Sequence, residues 1–217
     1  MFFKQVLKVR FHSPEYVADE LRQVHYTFGA NHVNIYDDLF IMDFERVKRI
    51  AELVKPLRMT YSIAARANMI TDEVAQVLKD MGVTAVGMGL ESNSQRILDF
   101  LEKGNTVEDN QNAVTILRKH GLNVHCSFIR DVPTETRKDL KLTFKFIKDN
   151  KLSYDLYTLM RFPRTPLDDG STDWSKCQVK YNVPFSKHVR NCLVKAAHFG
   201  KRCIVKADSV ARKEMKP

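Results

Sequence analysis

The sequence predicts an α/β fold, a partial (βα) TIM-like barrel with parallel strands and about five βα units. Short runs of apolar, β-branched residues alternate with helix-length amphipathic segments from residue 14 to residue 159, and this alternation is typical of a parallel sheet covered by helices. Polar or charged side chains recur directly after several of the apolar runs. With 217 residues, of which 44% are hydrophobic, the chain is long enough to bury one sizeable core.

Local signals place the boundaries of these elements. Ser13 is positioned to cap the first helix, with Pro14 in its first turn, and Thr71 to cap the third. Three glycines follow helical patterns, where a left-handed residue often ends a helix: Gly29, Gly82 and Gly121. In chain order we predict helix 14–28, strand 32–36, helix 43–54, strand 59–64, helix 72–81, strand 84–88, two helices around Ile97 and Val114, strand 123–129, helix 135–149 and strand 154–159.

This alternation fits either a barrel or an open, doubly wound sheet. No glycine-rich dinucleotide-binding turn opens the first unit, and the sequence contains no Walker-type phosphate loop. We therefore favour a barrel, or most of one. The predicted domains are the partial barrel, residues 1–167, and a C-terminal loop with a basic helical extension, residues 168–217.

Positive charge is concentrated in the C-terminal extension. The whole chain has a net charge of +9. Residues 187–217 contain nine lysines or arginines and two acidic residues, so this segment alone carries +7. A solvated helix is the favoured interpretation, and contact with nucleic acid or an acidic partner is the alternative. Phe199 is the only aromatic residue of the segment, which disfavours a single-strand nucleic-acid binder.

The composition predicts a protein of a reducing, cytoplasmic compartment. No apolar run is long enough to span a membrane, and charges interrupt the first ten residues too often for a secretory signal. The four cysteines lack the spacing of a zinc or iron–sulfur site and are far apart: Cys126, Cys177, Cys192 and Cys203. We assign no metal ligand and no catalytic residue from the sequence.

Polar residues at four predicted strand ends indicate a shared binding mouth. Because parallel strands end at the same rim of a barrel, we expect these side chains to face one cavity. They are Asp37 and Asp38, Arg66 and Asn68, Glu91 and Ser92, and Arg130 and Asp131. Two structural alternatives stay open. Ser92 has the residue type of a helix N-cap, and Arg66 has the charge to form a buried salt bridge with Glu91 or Asp38.

Six short motifs stand in a fixed order along the chain. They are Arg10-Phe11-His12-Ser13-Pro14-Glu15 with Glu20; Tyr36-Asp37-Asp38-Leu39-Phe40; Arg66 with Asn68, Ile70 and Thr71; Gly89-Leu90-Glu91-Ser92 with Ile97-Leu98, Lys103-Gly104 and Thr106; Pro133 with Glu135 and Thr136; and Thr165-Pro166-Leu167. Each motif is weak alone. The ordered set resembles the radical S-adenosylmethionine (radical SAM) family, in particular the branch often joined to a cobalamin-binding domain.

The resemblance implies a pocket for S-adenosylmethionine (SAM) at the barrel mouth. It places Asp38 at the SAM ammonium, Arg66 at the carboxylate, and Glu91 with Ser92 at the ribose or the amino-acid end. These charges are complementary. In the family, a 4Fe–4S cluster held by a Cys-x-x-x-Cys-x-x-Cys loop passes an electron to SAM, and the resulting 5′-deoxyadenosyl radical takes a hydrogen atom from a substrate.

The sequence also departs from the family. It contains no Cys-x-x-x-Cys-x-x-Cys loop, and the strand that precedes this loop in the family has no counterpart. The family favours glycine where Asp131 and Arg164 stand, and glycine permits a close approach of the backbone. We therefore expect that this chain alone does not hold the cluster.

The favoured hypothesis is an incomplete, truncated radical SAM domain that keeps a SAM pocket and is inactive alone. The alternative is a non-catalytic binding or scaffold domain derived from such a barrel. A third hypothesis is an ordinary barrel enzyme that uses Asp38 and Glu91 as acid and base. Because a partial barrel has open sheet edges, we expect them to be covered by residues 2–11, by a missing N-terminal segment or by a second copy of the chain.

Overall fold

The computed structural model describes residues 9–37, 40–160 and 167. Within these residues the chain forms a five-stranded sheet in the order β1-β2-β3-β4-β5. The elements are α1 (Pro14–Phe28), β1 (His32–Ile35), α2 (Phe44–Val54), β2 (Thr60–Ala65), α3 (Asp72–Met81), β3 (Val83–Glu91), α4 (Gln95–Phe100), α5 (Val107–Lys119), β4 (Asn123–Arg130), α6 (Arg137–Asp149) and β5 (Ser153–Thr158), with short 3₁₀ turns at Lys55–Leu57 and Ala67–Met69.

The predicted partial parallel barrel is confirmed. Every pair of neighbouring strands is parallel, and neighbours in the sheet are also neighbours in sequence. Right-handed crossovers in this order place all the connecting helices on one face of the sheet. Among the described residues, β1 pairs only with β2 and β5 only with β4, so the sheet does not close.

Two predictions concern residues that the structure does not describe. The basic C-terminal extension, residues 168–217, lies outside the described part, as do residues 2–8 of the segment expected to cover a sheet edge. Both stay predictions. No helix in the described part is both long and apolar enough to cross a membrane.

Local side-chain chemistry sets the helix ends. Ser13 Oγ accepts a hydrogen bond from the Tyr16 N–H over 3.2 Å, and Thr71 Oγ1 accepts one from the Val74 N–H over 3.2 Å. Both bonds satisfy amides that have no partner within their helix. Gly82 ends α3 with a φ of 100°. These predicted caps are confirmed.

Strand β3 is longer than predicted. We expected strand 84–88, whereas β3 is Val83–Glu91 and stays paired with β4 as far as Glu91. The apolar pattern did not reveal this extension because Gly89 contributes no side chain and Glu91 is charged. The difference matters because it places Glu91 on the sheet itself.

The two faces of the sheet differ in chemistry. The face that packs against the helices is apolar and buried, and includes Tyr61, Ile63, Val86, Met88, Cys126 and Phe128. Because side chains alternate along a strand, the opposite, inner face carries small or polar residues, among them Asn34, Ser62, Gly87, His125, Ser127 and Asp155. Parallel sheets are normally covered by apolar layers on both faces. This inner face is therefore suited to polar contacts rather than to a second core.

Candidate functional site

A cavity of about 730 Å³ lies on the inner face, at the carboxyl ends of β2 and β3 and beside the middle of β4 and β5. Parallel barrels bind their ligands at this end, and the volume is in the range of small-molecule sites. The predicted site residues Arg66 and Glu91 both line it, together with Lys103. A second part of the lining comes from β4 and β5 and includes His125 and Asp155.

Glu91 has a strained backbone. Its φ is 61°, and the Ser92 N–H donates to the Leu90 carbonyl oxygen over 2.7 Å. A hydrogen bond across one residue of positive φ defines a γ-turn of the rarer, strained kind. The register between β3 and β4 shifts at the same place. Strain of this sort is concentrated at ligand-binding sites, and here the strained residue lines the cavity.

Lys103 is the cation that pairs with Glu91 within the described part of the chain. Its Nζ lies 2.8 Å from Glu91 Oε1, and the two side chains are 27% and 16% exposed. A Cβ placed on Gly89 would lie 2.7 Å from Glu91 Oε1 and 3.2 Å from Lys103 Nζ. The ion pair therefore occupies the space that glycine leaves open. One alternative from the sequence was a salt bridge of Arg66 with Glu91 or Asp38; within the described residues Glu91 pairs with Lys103 instead, and Asp38 is not described.

Arg66 follows the last residue of β2. Its Nη2 donates to the Lys103 carbonyl oxygen over 2.6 Å, and Asn68 Nδ2 donates to the Gly104 carbonyl oxygen over 3.1 Å. These bonds hold the segment after α4 against the end of β2. Arg66 therefore brings a positive charge to the cavity and also fixes the position of Lys103.

Ser92 faces away from the cavity. It is fully buried, its Oγ lies 3.2 Å from Thr143 Oγ1, and it accepts a hydrogen bond from the Ser94 N–H over 3.1 Å. The N-cap of α4 is Ser94, so the N-cap interpretation of Ser92 is wrong. The predicted direct contact between Ser92 and a ligand has no support in this placement, because the hydroxyl is already engaged within the protein.

A buried polar network holds the turn after Glu91 against α6. Asp139 accepts hydrogen bonds from Ser94 Oγ over 2.6 Å, from the Thr136 N–H over 2.8 Å, and from Arg96. Burial acts to raise the pKa of Asp139, but these hydrogen bonds outweigh it and hold the pKa well below its usual value. An ionised carboxylate therefore fastens the β3–α4 loop.

Two residues named in the sequence analysis are outside the described residues: Asp38, from a predicted strand end, and Arg164, at a position where the family favours glycine. Asp131 follows β4 with a φ of 63°. Its N–H donates to Glu135 Oε2 over 2.8 Å, and its carboxylate accepts from Thr158 Oγ1 over 3.3 Å. The left-handed φ explains why glycine suits this position, although aspartate is among the side chains that tolerate it.

A second polar cluster lies on the β4–β5 side of the cavity. His125 Nε2 is 2.9 Å from Asp155 Oδ2, and His125 Nδ1 is 2.9 Å from Ser153 Oγ. The Tyr157 hydroxyl donates to the same Asp155 oxygen over 3.4 Å. None of these residues stood out in the sequence as a site, because their proximity depends on the register of two strands.

Residues 2–147 match the sequence model of the radical SAM superfamily. The chain belongs to the radical SAM superfamily. An uncharacterised methyltransferase of Pyrococcus horikoshii is 35% identical over 161 residues, which cover 73% of this chain and 35% of that protein. A bacteriochlorophyllide d C-12(1)-methyltransferase of Chlorobaculum tepidum is 25% identical over 169 residues, which cover 76% of this chain and 37% of that protein. The chain thus spans about a third of the length of these curated relatives.

Solved structures of radical SAM enzymes share the fold. The methyltransferase TsrM from Kitasatospora setae, with cobalamin and a 4Fe–4S cluster bound, superposes with a TM-score of 0.64 at 18% identity, over 72% of this chain and 33% of that one. The cobalamin-dependent radical enzyme OxsB gives a TM-score of 0.55 at 22% identity, over 64% of this chain and 22% of that one. These similarities show a common radical SAM barrel architecture.

The described residues of this radical SAM chain do not fit a 4Fe–4S cluster. Within them, no group of three or more histidine, cysteine or acidic side chains is placed to hold a metal ion. Cys126 is fully buried on the helix-covered face, and burial raises the pKa of its thiol to about 12. Because cluster ligands are thiolates, Cys126 is unsuited to this role.

Proposed function

We propose that the cavity binds SAM and that this chain contributes the SAM-binding part of a radical SAM enzyme with methyl-transfer chemistry. The observation that carries the proposal is the strained turn at Glu91, which holds a carboxylate in the cavity over Gly89. Such strain persists only where the surrounding structure imposes it. Superfamily membership supports SAM as the ligand, and the methyltransferase names of two relatives support the reaction class.

The charges of the cavity complement the amino-acid end of SAM. We assign Glu91 to its ammonium and Arg66 to its carboxylate, because paired opposite charges with hydrogen bonds are the strongest polar contacts. Glu91 already holds the ammonium of Lys103 at 2.8 Å, so its position is compatible with binding an ammonium. Asp38, outside the described residues, remains our candidate for a second contact with this group.

We assign Ser92 a positioning role. Its hydroxyl contacts Thr143, and its carbonyl oxygen accepts a hydrogen bond from Asn110 Nδ2 over 3.0 Å. Both contacts fix the residue that follows Glu91. The strained φ of Glu91 therefore depends on buried groups behind the cavity, which keeps the carboxylate in place before a ligand arrives.

In radical SAM enzymes the cluster supplies the electron that cleaves SAM. The 217 residues contain no Cys-x-x-x-Cys-x-x-Cys loop, and Cys126 does not fit as a ligand. We therefore propose that this chain alone binds SAM without cleaving it, as an incomplete domain whose cluster ligands come from outside these residues.

Isothermal titration calorimetry of the 217-residue chain with SAM tests the binding. We expect a Kd of about 1 μM to 100 μM for the wild type, and Glu91→Gln to weaken it about tenfold, because a charge-assisted contact is lost. Glu52→Gln is the matched control, since Glu52 is an exposed residue of α2 that pairs with Arg49. If the wild type shows no binding, the scaffold alternative is favoured and the proposal fails.

A second measurement tests the statement about the cluster. The purified chain, after anaerobic treatment with iron, sulfide and dithionite, is incubated with SAM, and 5′-deoxyadenosine is measured by mass spectrometry. We expect none above the level of a protein-free sample. Formation of 5′-deoxyadenosine by this chain alone would contradict the proposed incompleteness, although it would leave the SAM site intact.

A further inference from the structure

The β4–β5 side of the cavity carries a charge that SAM binding by Glu91 and Arg66 does not use. Among the described lining residues contributed by β4 and β5, Asp155 is the acidic one. Its side chain is 55% exposed on the inner face, and that of His125 is 47% exposed. A carboxylate at the wall of a cavity attracts cations and hydrogen-bond donors.

Neighbouring side chains orient this carboxylate. His125 Nε2 lies 2.9 Å from Asp155 Oδ2, and the Tyr157 hydroxyl donates to the same oxygen over 3.4 Å. The negative charge of Asp155 raises the pKa of Tyr157. The phenol, which is protonated at neutral pH even without this shift, is a donor to Asp155.

The second oxygen of Asp155 is left for another partner. No residue in the described part of the chain donates a hydrogen bond to Oδ1. The imidazole of His125 is already engaged on both sides, because its Nδ1 lies 2.9 Å from Ser153 Oγ. Asp155 Oδ1, rather than a nitrogen of His125, is therefore the atom of this cluster that is available to a ligand.

Small residues leave room between this cluster and Glu91. Along the register of the sheet, Gly89 pairs with Ser127, and Ser127 with Asp155. Adjacent strands are about 4.8 Å apart, so β5 lies about 10 Å from β3. The intervening positions carry at most a hydroxymethyl group, and the cavity of about 730 Å³ extends across them.

We propose that Asp155, oriented by His125 and Tyr157, binds a cationic, nitrogen-bearing end of the methyl-accepting substrate beside SAM. This inference rests on the proposed function, because it assumes that SAM occupies the Glu91 side. An ammonium or amidinium group would complete the contacts of Oδ1, whereas a carboxylate or phosphate would be repelled by Asp155. The proposed acceptor is therefore an amine or amidine.

Benzylamine, benzyl alcohol and benzoate serve as probes that differ in charge and share one ring. Each is titrated into the ¹⁵N-labelled full chain, and the amide shifts of Ser127, Asp155 and Tyr157 are followed by NMR. We expect benzylamine to shift these signals and to bind at least about tenfold more tightly than the other two probes. If benzoate binds as well as benzylamine, or if benzylamine shifts none of these signals, the proposal is wrong.

Two variants test whether benzylamine binds at Asp155. Asp155→Asn keeps the shape and removes the charge, and should weaken benzylamine about tenfold. Asp149→Asn makes the same change on the exposed face of α6, where Asp149 pairs with Lys145, and should leave benzylamine binding unchanged. Equal benzylamine affinity of wild type and Asp155→Asn would overturn the proposal.

Cross-titration separates this proposal from the one on SAM. Asp155→Asn should bind SAM like the wild type, and Glu91→Gln should bind benzylamine like the wild type. A chain that binds benzylamine through Asp155 but fails to bind SAM would refute the proposed function and keep the amine site. A chain that binds SAM but not benzylamine would support the proposed function and refute the amine site.

Discussion

Lys103 Nζ lies 2.8 Å from Glu91 Oε1, over the backbone of Gly89. The pair joins the strained end of β3 to the segment after α4, which Arg66 fixes by a hydrogen bond to the Lys103 carbonyl oxygen. A lysine ammonium thus occupies the side of Glu91 to which we assign the ammonium of SAM. We expect SAM bound in this manner to displace Lys103 from Glu91 Oε1.

Replacement of this competing cation should strengthen SAM binding. In Lys103→Met, Glu91 loses the cation with which it pairs in the described part of the chain. A partly exposed ion pair of this kind is worth about 1 kcal/mol, so we expect SAM to bind about fivefold more tightly. Calorimetry measures the effect, with Lys119→Met, at an exposed pair with Asp72, as the control. Weaker binding by Lys103→Met would indicate that Lys103 itself contacts SAM.

A methyl group on Gly89 should displace the carboxylate without unfolding the protein. In Gly89→Ala the new Cβ would lie 2.7 Å from Glu91 Oε1, and this flexible group is able to shift. We expect SAM affinity to fall about tenfold because an important contact is misplaced, with little change in the midpoint of thermal unfolding.

Gly87→Ala is the matched control on the same face of β3. The nearest neighbour of its added Cβ is the Ile63 carbonyl oxygen at 3.7 Å, an ordinary contact. It should therefore affect SAM binding much less than Gly89→Ala. Similar losses in both variants would show that any methyl group on this face blocks the cavity, and would remove the special role of the space over Gly89.

The fold was predictable where the deciding contacts are local. Ser13 and Thr71 bond to amides three residues ahead, so a short stretch of sequence contains both partners of each cap. The alternation along β4 likewise puts Cys126 under the helices and His125 on the inner face. The extension of β3 to Glu91 was missed because a glycine and a charged residue interrupt the apolar pattern.

The site was predictable only in part. The positions of Arg66 and Glu91 at strand ends were enough to place both in one cavity, because parallel strands end on the same side. The orientation of Ser92 was not predictable, because it depends on a positive φ at a non-glycine residue. The pairing of Lys103 with Glu91 depends on the path of the chain through α4, and the contact of His125 with Asp155 depends on strand register.

Acid should lower the free energy of unfolding, because protonation of Asp139 removes the charge that holds the β3–α4 loop. Its pKa in the folded protein is held well below the usual value near 3.8, so the ionised group stabilises the fold above about pH 4, and this contribution is lost as the pH falls further toward the pKa in the folded state. Urea unfolding between pH 7 and pH 2 measures the free energy of unfolding. We expect Asp139→Asn to cost about 2 kcal/mol at pH 7, and its difference from the wild type to shrink below pH 4.

Asp109→Asn is the control for this pH dependence. Asp109 occupies the same capping-box position in α5 and accepts bonds from Thr106, but no described arginine pairs with it, in contrast to Arg96 at Asp139. Its replacement should cost less than that of Asp139. A wild-type minus Asp139→Asn difference that stays constant from pH 7 to pH 2 would contradict the assigned ionisation.

The left-handed backbone at Asp131 should make the free energy of unfolding differ between a glycine and an alanine variant. Asp131→Gly and Asp131→Ala both remove the contacts with Arg130 and Thr158, so these losses cancel in the comparison. At a φ of 63° the alanine Cβ is strained, and we expect the glycine variant to be more stable by about 1 kcal/mol after allowance for its greater unfolded-state entropy. Lys148 lies within α6 and serves as the control. Glycine is the poorer helix former by about 1 kcal/mol, so here the alanine variant should be more stable than the glycine variant. Urea unfolding of the four variants at pH 7 measures both differences, and equal stability of the two Asp131 variants would show that the backbone there relaxes out of the left-handed region.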